Sequence, residues 1–338
     1  MQKKNKKILI IGSNEKFSLE NMYFRAFKSL KHNVHFHHVY NIRKNLVEKF
    51  LWKYCKFFFF LFIRKKIINF LKLKRNYYDL IIIFKGLYLN KDFITKAKKL
   101  GNKAKWINIY PDDPFDVNSL NDISNKNLLK SINSFDIFFI WSTKILNKLK
   151  INYPNTKICY LPFGYDSFYH KKYYKNKKKE YDISFIGTAD KKRYYFLNKL
   201  KEFKIILAGN GWSKFKLSNN IRYVGTANVK QFSKIINLSH ISLNILRDQN
   251  EKSHNMKTFE IPAMGGLLLT KRSYEQNLFF PENKSSLMYK NIFELKNKIF
   301  FAKNNNKKII KFKRNSKKNL KKQSYKDRAL FIISEAFS

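Results

Sequence analysis

Short apolar runs alternate with helical segments along almost the whole chain. In the first half, the runs of strand length that end in turn residues are KILIIGSN, HNVHFHHVY, YYDLIIIFKG, KWINIYPDD, FDIFFIWST and KICYLPFG. Segments with helical spacing, such as 15–30, 91–100 and 127–134, separate these runs. Because strands that alternate with helices form βαβ units, the pattern predicts a parallel sheet with helices on both faces.

The same alternation restarts in the second half. The stretch 166–181, DSFYHKKYYKNKKKEY, has no apolar periodicity and is predicted to connect two domains. The strand-like runs that follow it are YDISFIG, FKIILAGNGW, NIRYVGTA, HISLNI and MGGLLLT. Beyond Lys284 the chain is predicted to be helical and basic. A chain of 338 residues is long enough for two domains. The sequence therefore predicts an α/β protein with two doubly wound domains.

The chain is strongly basic. It has 70 Lys and Arg against 23 Asp and Glu, a formal net charge of +47. This balance is typical of proteins that bind polyanions. A second explanation is codon usage, because Lys, Asn, Ile, Phe and Tyr have codons rich in A and T. No nucleic-acid-binding motif is present, so no specific nucleic acid is predicted as a partner.

Cysteine usage and the N-terminal sequence predict a cytoplasmic location. Cys55 and Cys159 are the two cysteines, which is too few for a disulfide framework, and no CxxC or Cys/His cluster predicts a zinc site. The opening MQKKNKKILIIGSN has a short apolar run without a small-residue cleavage site. We interpret it as a strand and not as a signal peptide.

The segment 49–75, KFLWKYCKFFFFLFIRKKIINFLKLKR, is the most membrane-like part of the sequence. Its unbroken apolar core, 57–63, is far shorter than the roughly 20 residues that a spanning helix needs. Aromatic residues flanked by cations suit a helix that lies on an anionic membrane surface, here the inner face. The alternative is a core helix with basic flanks.

The run NMKTFEIPAMGGLLLT, 255–270, predicts a helix that ends at a strand. Lys257 and Glu260 lie three residues apart, on one face of that helix. A cation suits a diphosphate and a carboxylate suits the paired hydroxyls of a ribose. The alternative is an exposed ion pair without a function. Pro262 predicts a kink or an early end of the helix, and Gly265 with Gly266 predicts the turn that follows.

Glycines at strand-to-helix turns are further candidates, because they let main-chain N–H groups approach a phosphate. Gly187 opens GTADKKR, in which Thr188 and Arg193 are suited to phosphate binding. Gly12 and Gly209 occupy similar turns, for which an ordinary tight turn is the alternative. The GNG of the second turn lacks the third glycine of a dinucleotide fingerprint, so a dehydrogenase is excluded.

Asp112 and Asp113, in YPDDPFD, follow a predicted strand. Adjacent carboxylates on an extended chain point to opposite sides, which does not favour a shared metal. One of them is a candidate base for an acceptor hydroxyl. A turn before Pro114 is the alternative. The histidines show no ligand spacing, and no metal site is predicted.

Taken in order, these motifs resemble a known family. The segments concerned are IYPDDP, ICYLPFGYD, DISFIGT with Arg193 after it, ILAGNGW, VGTANVKQFSKIINLSHISLNI, KTFEIPAMGGLLLT and YKDRALFII. Their order and spacing resemble the group 1 glycosyltransferases of GT-B fold, particularly the spore-maturation-protein (CgeB-like) branch. The resemblance covers nearly the full chain and is weakest over 42–75.

The resemblance implies an architecture and a domain division. It implies an α/β protein of GT-B type, with two doubly wound, Rossmann-like domains facing each other across a cleft. Residues 1–168 would form the N-terminal, acceptor-side domain, and residues 169–324 the C-terminal domain that binds a nucleotide-sugar donor. Residues 325–338 would form a helix that returns to the N-terminal domain.

The resemblance also assigns roles to residues. Glu260 takes the place of the glutamate that binds the donor's ribose, and Lys257 stands where the branch often has an Arg. A second glutamate of the group 1 pattern is replaced by Lys252, with Glu251 one residue away. The predicted catalytic residues are Asp112, Asp113 and Lys257. The predicted donor-binding residues are Gly187, Thr188, Arg193, Gly209, Lys257, Glu260, Gly265 and Gly266, and Gly12 is predicted on the acceptor side.

The implied function is transfer of a sugar from a nucleotide-diphosphate sugar, the co-substrate, to an acceptor. No other cofactor is predicted, and the acceptor is a glycan, a lipid-linked molecule or a protein. Two alternatives stand beside this function. One is a non-enzymatic basic module that binds nucleic acid or membrane. The other is a degenerate GT-B scaffold that binds nucleotide without turnover.

Overall fold

The computed structural model describes residues 5–13, 15–39, 45–101, 103–116, 123–174 and 178–338. The chain divides into two compact units. Unit 1 comprises Met1–Pro162 together with Tyr325–Ser338, and unit 2 is Phe163–Ser324. Residues 42–44, in the segment of weakest resemblance, and 175–177, in the predicted connection, lie outside the described residues.

Unit 1 contains a six-stranded parallel sheet with the order β2-β1-β3-β4-β5-β6. Its strands are β1 (Lys7–Gly12), β2 (Asn33–His38), β3 (Leu80–Phe84), β4 (Lys105–Tyr110), β5 (Ile137–Ile140) and β6 (Lys157–Tyr160). Strands with helices on both faces are buried on both faces, which is why β3 is the unbroken apolar run LIIIF and why all of it is buried.

The helices of unit 1 connect these strands and cover the sheet. In the described residues they are α1 (Leu19–Ser29), α2 (Leu46–Tyr54), α3 (Lys56–Leu73), α4 (Lys91–Leu100), α5 (Ile123–Ser131), α6 (Thr143–Asn152) and, from the chain's end, α13 (Tyr325–Phe337). Several begin at a polar residue whose side chain accepts a hydrogen bond from the first turn, as Ser18 and Asn90 do for α1 and α4.

Unit 2 repeats this architecture with the strand order β12-β11-β10-β7-β8-β9, again parallel. Its strands are β7 (Tyr181–Ile186), β8 (Ile205–Ala208), β9 (Ile221–Tyr223), β10 (Ser239–Asn244), β11 (Leu268–Lys271) and β12 (Leu287–Tyr289). Its helices in the described residues are α7 (Lys191–Asn198), α8 (Val229–Leu238), α9 (Lys257–Ala263), α10 (Tyr274–Phe279), α11 (Ile292–Asn304) and α12 (Asn306–Asn319).

The two parallel α/β sheets confirm the predicted fold class. The helix predicted within 255–270 is α9, and it ends one residue after Pro262, where Gly265, with φ +84°, and Gly266 donate back to the carbonyls of Pro262 and Ile261. The prediction that the chain is helical beyond Lys284 is wrong at β12, a buried three-residue strand at the sheet edge. Three residues are too few to show a periodicity of two in sequence.

The predicted connection 166–181 forms no helix or strand over its described residues before β7. It is nevertheless not simply exposed, because Asp166 and His170 are buried within unit 2. The main-chain N–H of Asp166 donates to His170 Nδ1 at 3.0 Å, which holds this segment in a compact turn.

Candidate functional site

The candidate site in unit 2 lies where the direction of sheet building reverses. From β7 the chain adds β8 and β9 on one side, and then β10, β11 and β12 on the other. In open α/β sheets, ligands bind at the carboxyl ends of the strands at such a reversal. Gly187 and Thr188 directly follow β7, whereas Lys257 and Glu260 lie on α9, in the segment after β10.

The turn after β7 is tied to the turn after β8. The N–H of Gly187 donates to the carbonyl of Ala208 at 2.9 Å, and the N–H of Ala189 donates to that of Asn210 at 2.9 Å. Gly209 has φ +140°, and a Cβ there would lie 2.0 Å from the carbonyl oxygen of Gly187. Gly209 is therefore required for close approach of two chain segments, and the N–H groups of Gly187 and Ala189 are already used inside the protein.

Arg193 ties the ends of β7 and β10 together. Its side chain is buried, and its terminal nitrogens donate to the carbonyls of Thr188 and Ile245, each at 2.9 Å. Burial lowers the pKa of Arg193 from its usual value, with Asp190 acting in the opposite direction. In this structure the Arg193 guanidinium holds the loop that carries Thr188. Arg193 would therefore affect a ligand only through the position of that loop.

Glu260 is a buried carboxylate with two basic partners. It is 3 % exposed. Lys257 Nζ lies 2.6 Å from its Oε2 and 4.0 Å from the centroid of the Phe232 ring. His170 Nε2 lies 3.7 Å from its Oε1. Since His170 Nδ1 accepts the N–H of Asp166, the ring proton of the neutral imidazole is on Nε2, the atom that faces Glu260.

These partners keep Glu260 ionised. Burial by itself would raise the pKa of Glu260, but the Lys257 ammonium, followed by His170, outweighs burial and holds that pKa below its usual value. The pair is therefore different from an exposed ion pair, in which water would satisfy both charges. Glu260 presents a desolvated, negatively charged acceptor, whereas the side chain of its partner Lys257 is 31 % exposed.

A second buried network fixes the segment that leads into α9. Phe163 N–H donates to His254 Nε2 at 3.1 Å, and His254 Nδ1 lies 2.6 Å from Glu275 Oε2. Asn244, at the end of β10, and Asn255 exchange two amide hydrogen bonds of 3.0 Å each. The start of α9 is thereby fixed to the end of β10 and to α10.

The glycine pair after α9 also has a steric reason. A Cβ at Gly266 would lie 2.5 Å from Ile236 Cγ2 on α8, so only glycine fits at this junction. Gly265 has φ +84°, and the side chain of Lys172 lies across it. Both glycines therefore allow α9 to pack against its neighbours. At each of them, the space that a ligand would need is filled by a neighbouring side chain.

Lys252 stands where the group 1 pattern would have its second glutamate, and Glu251 precedes it by one residue. Glu251 forms an ion pair with Lys271, at the end of β11, and this partner holds the pKa of Glu251 below its usual value. Lys252 is exposed. The carboxylate of this region is thus one residue away from the expected position and is engaged by a lysine.

Unit 1 has a charged cluster at the equivalent edge of its own sheet. β1 and β3 are neighbours where its strand order reverses. Lys85, directly after β3, forms an ion pair of 2.7 Å with Asp112, which follows β4. Glu20, on α1, is buried against Gly12, where a Cβ would lie 2.8 Å from Glu20 Cγ. Burial raises the pKa of Glu20 above its usual value, although several hydrogen-bond donors and Lys85 act in the opposite direction.

Asp113 has a local structural role. Its Oδ1 accepts the N–H of Phe115 at 2.9 Å, a side-chain turn of the kind that Asp commonly forms. Asp112 and Asp113 thus have different partners, as neighbouring residues on an extended chain should. No group of three His, Cys, Asp or Glu side chains within the described ranges is arranged to hold a metal ion.

The sequence singled out the pair Lys257 and Glu260, which the structure brings together, but it did not indicate His170, His254 or Glu20. Lys257 and Glu260 carry a local signal, because i,i+3 residues share a helix face. His170 and His254 reach their partners across long stretches of chain, and no local pattern marks such contacts. Glu20 in the first turn of α1 looks like an ordinary favourable charge at a helix start.

A separate cavity of about 370 Å³ lies in unit 2 between α8 and β9. Tyr174, Arg222 and Lys234 contribute to its lining. The predicted donor-binding residues do not line it. It is therefore distinct from the site around Glu260.

Comparison with known proteins supports the enzyme class. A family model described as glycosyl transferase-like matches residues 192–334, which include α9. A search of curated proteins finds no match. Sucrose-phosphate synthase from Thermosynechococcus elongatus has a similar structure, with a TM-score of 0.69, 10 % identity and 98 % of each chain covered.

Two further solved structures are similar over nearly the full chain. A glycosyltransferase from Rickettsia africae ESF-5 has a TM-score of 0.65 and 14 % identity, with 98 % of each chain covered. Anabaena HepE in complex with UDP-glucose has a TM-score of 0.60 and 12 % identity, with 98 % of this chain and 100 % of that chain covered.

The fold is thus that of the GT-B glycosyltransferases, as predicted from the sequence. The family match extends this similarity to the sequence of residues 192–334. The spore-maturation-protein branch is a finer assignment, and it stays a prediction.

Proposed function

We propose that the chain transfers a sugar from a nucleoside-diphosphate sugar bound at the carboxyl edge of the unit 2 sheet, with the ribose on Glu260. The observation that carries this proposal is the buried, ionised carboxylate of Glu260 on α9. A carboxylate accepts hydrogen bonds from two neighbouring hydroxyls, and such charge-assisted bonds are the strong ones. The UDP-glucose bound to HepE makes UDP-sugars the first donors to test.

Lys257 is proposed to stabilise the diphosphate. Its ammonium pairs with Glu260 at 2.6 Å, yet its side chain is partly exposed and can turn toward an arriving phosphate. A cation that meets the leaving diphosphate lowers the barrier most where negative charge develops, in the transition state. Arg193 acts indirectly in this proposal, by holding the Thr188 loop and the end of β10 in place.

The acceptor is proposed to bind unit 1. Supporting residues are Glu20, Lys85 and Asp112, which lie at or beside the carboxyl ends of β1, β3 and β4, the edge where α/β sheets bind ligands. Carboxylates can accept the hydrogen bonds of acceptor hydroxyls, and Glu20, with its raised pKa, is suited to take up a proton. A glycan, a lipid-linked sugar or a glycosylated protein would present such hydroxyls. The motif order supports membership of the spore-maturation-protein branch and a role in cell-surface polysaccharide synthesis.

Glu260→Gln tests the donor site. Gln has nearly the same shape and helix propensity, so the fold should be retained. Losing the charge should remove about 1.5–3 kcal/mol of hydrogen-bond energy, that is, weaken binding of UDP or its cognate nucleotide about tenfold or more. Calorimetric titration of the nucleoside diphosphate into wild type and variant measures this change.

Glu202→Gln provides the matched control. Glu202 is also a unit 2 carboxylate paired with a lysine, Lys296, at 2.6 Å, but both side chains are about one-third exposed. Its loss should leave nucleotide affinity unchanged. Equal affinity in wild type and Glu260→Gln would remove Glu260 from the donor site. If the wild type bound the nucleotide but transferred no sugar from any donor, the chain would instead be a scaffold without turnover.

A further inference from the structure

α2 and α3 leave a large apolar surface on unit 1 open to solvent. On α3, the stripe Phe59, Ile63, Ile67 and Leu71 is buried. The exposed apolar side chains of residues 46–62 are Leu46, Val47, Phe50, Tyr54, Phe57, Phe58, Leu61 and Phe62, with exposed fractions from 43 % to 80 %. We call this set the α2–α3 apolar surface.

This surface is unlike the scattered apolar residues of an ordinary protein exterior. Its eight members lie within 17 consecutive residues, on two helices that contact each other. Five of them carry aromatic rings. Contiguous exposed apolar surface of this kind marks an interaction site, because exposing apolar area to water costs free energy that burial would recover.

The segment that carries the α2–α3 apolar surface is also rich in cations. The segment 45–75 contains nine Lys and Arg residues, and its single acidic residue is Glu48. Glu48 is buried and lies 3.6 Å from Lys66 Nζ, so it adds no exposed negative charge. Lys53 Nζ lies 4.7 Å from the ring centroid of Tyr54, and Lys66 Nζ lies 4.2 Å from that of Phe62.

The combination selects the kind of partner. Rings bordered by ammonium groups match the interface of an anionic bilayer, where apolar side chains enter the acyl boundary and cations meet the headgroups. Among the described residues, no helix is long and apolar enough to cross a membrane. A pair of helices lying in the plane of the surface satisfies both observations.

We propose that the α2–α3 apolar surface docks unit 1 on the surface of an anionic lipid bilayer. Unlike the core-helix alternative, this accounts for both faces of α3: Phe59 and Ile63 complete the core of unit 1, while Phe58 and Phe62 enter the lipid. The proposal is independent of the donor site, since all its residues lie in unit 1.

Flotation of the full chain with lipid vesicles tests the proposal. Wild type should float with vesicles of phosphatidylcholine and phosphatidylglycerol, and it should float far less with phosphatidylcholine alone. High salt should reduce flotation, because exposed charges are screened. The triple variant Phe50→Ser, Phe58→Ser, Phe62→Ser should reduce the partition coefficient at least tenfold while leaving the fold intact, because these side chains face solvent.

A second triple variant provides the control. Phe168, Tyr274 and Phe293 are exposed aromatic residues of unit 2, and changing all three to Ser removes similar apolar area elsewhere. That variant should float like wild type. Equal flotation of both triple variants, equal partition onto neutral and anionic vesicles, or no flotation of wild type would each overturn the proposal. A wild-type dimer that the first variant converts to a monomer, without flotation, would assign the surface to a second copy of the chain.

Discussion

At the scale of single residues, two buried glutamates show how surroundings decide the state of a carboxyl group. Glu260 has Lys257 and His170 beside it, and these outweigh burial and lower its pKa. Glu20 has mainly uncharged hydrogen-bond donors, and burial raises its pKa. The same side chain is therefore a permanent anion in unit 2 and a group able to exchange a proton in unit 1.

Glu20→Gln should stabilise unit 1 at neutral pH. A carboxyl group whose folded pKa is raised favours folding below its unfolded pKa, and this contribution is lost as the pH rises through the folded pKa. Gln cannot ionise, so the variant should unfold at a higher temperature than wild type at pH 7, and the difference should shrink as the pH falls through the folded pKa and disappear below about pH 4.5. Thermal unfolding across this pH range measures the effect.

The same variant tests the acceptor side. If Glu20 takes a proton from the acceptor, sugar transfer should fall about a hundredfold or more in Glu20→Gln while nucleotide affinity stays constant. Glu48→Gln provides the control, because Glu48 is a buried carboxyl group of unit 1 with a lysine at 3.6 Å. In the unfolding measurement, Glu48→Gln should lose stability, whereas Glu20→Gln should gain it. Full activity of Glu20→Gln would exclude Glu20 from the transfer step.

At the scale of secondary-structure elements, the junction of α9 and β11 positions the proposed donor site. α9 is seven residues long, ends beside Pro262 and is followed by Gly265 and Gly266. Gly266 packs against Ile236 of α8. A methyl group added to Gly266 would therefore push α9, and Glu260 with it, away from α8. In the proposed site, the packing of this junction therefore decides where Glu260 lies.

Gly266→Ala should cost roughly 1–3 kcal/mol of unfolding free energy, because its Cβ would lie 2.5 Å from Ile236 Cγ2 and 2.9 Å from Ile261 Cγ2. Nucleotide affinity should fall as well. Gly225→Ala is the contrasting variant: Gly225 has φ +76° but nothing within 4 Å of an added Cβ. It should cost about 1–2 kcal/mol through backbone conformation and leave affinity unchanged. Denaturant unfolding and calorimetric titration give both quantities. Unchanged affinity in Gly266→Ala would show that packing at this junction does not affect nucleotide binding.

Elements with a strong local signal were predictable from sequence. β3 is a continuous apolar run, and Pro262 with the glycine pair after it marks where α9 ends, so both could be placed without a structure. β12 could not, because three residues carry no period. The segment 49–75 showed both its apolar and its basic character, but which rings face the core depends on the packing of α2 and α3, which sequence does not specify. Contacts between distant residues, such as His170 with Glu260, are missed for the same reason.

At the scale of the whole molecule, the end of the chain completes unit 1. α13 packs against α1, where the ring centroids of Tyr325 and Tyr23 lie 5.1 Å apart. Arg328 Nε donates to the carbonyl of Pro162 at 3.0 Å, at the point where the chain leaves unit 1. Ile332 is fully buried. Unit 1 is therefore built from both ends of the sequence, whereas unit 2 is continuous.

Removal of residues 325–338 should consequently destabilise unit 1 and spare unit 2. Tyr325 and Ile332 are almost fully buried, and each contributes about 1.5–3 kcal/mol by burial, so their joint loss is a large fraction of the 5–15 kcal/mol typical of a domain. Calorimetry should show one unfolding transition shifted to lower temperature, and titration should show nucleoside-diphosphate affinity close to that of the full chain, because Glu260 and its partners lie within Phe163–Ser324. Removal of Ser338 alone should change neither quantity appreciably, since this residue is exposed. If the longer truncation abolished nucleotide binding while unit 2 remained folded, the donor site would need residues outside unit 2, and its assignment to the surroundings of Glu260 would be incomplete.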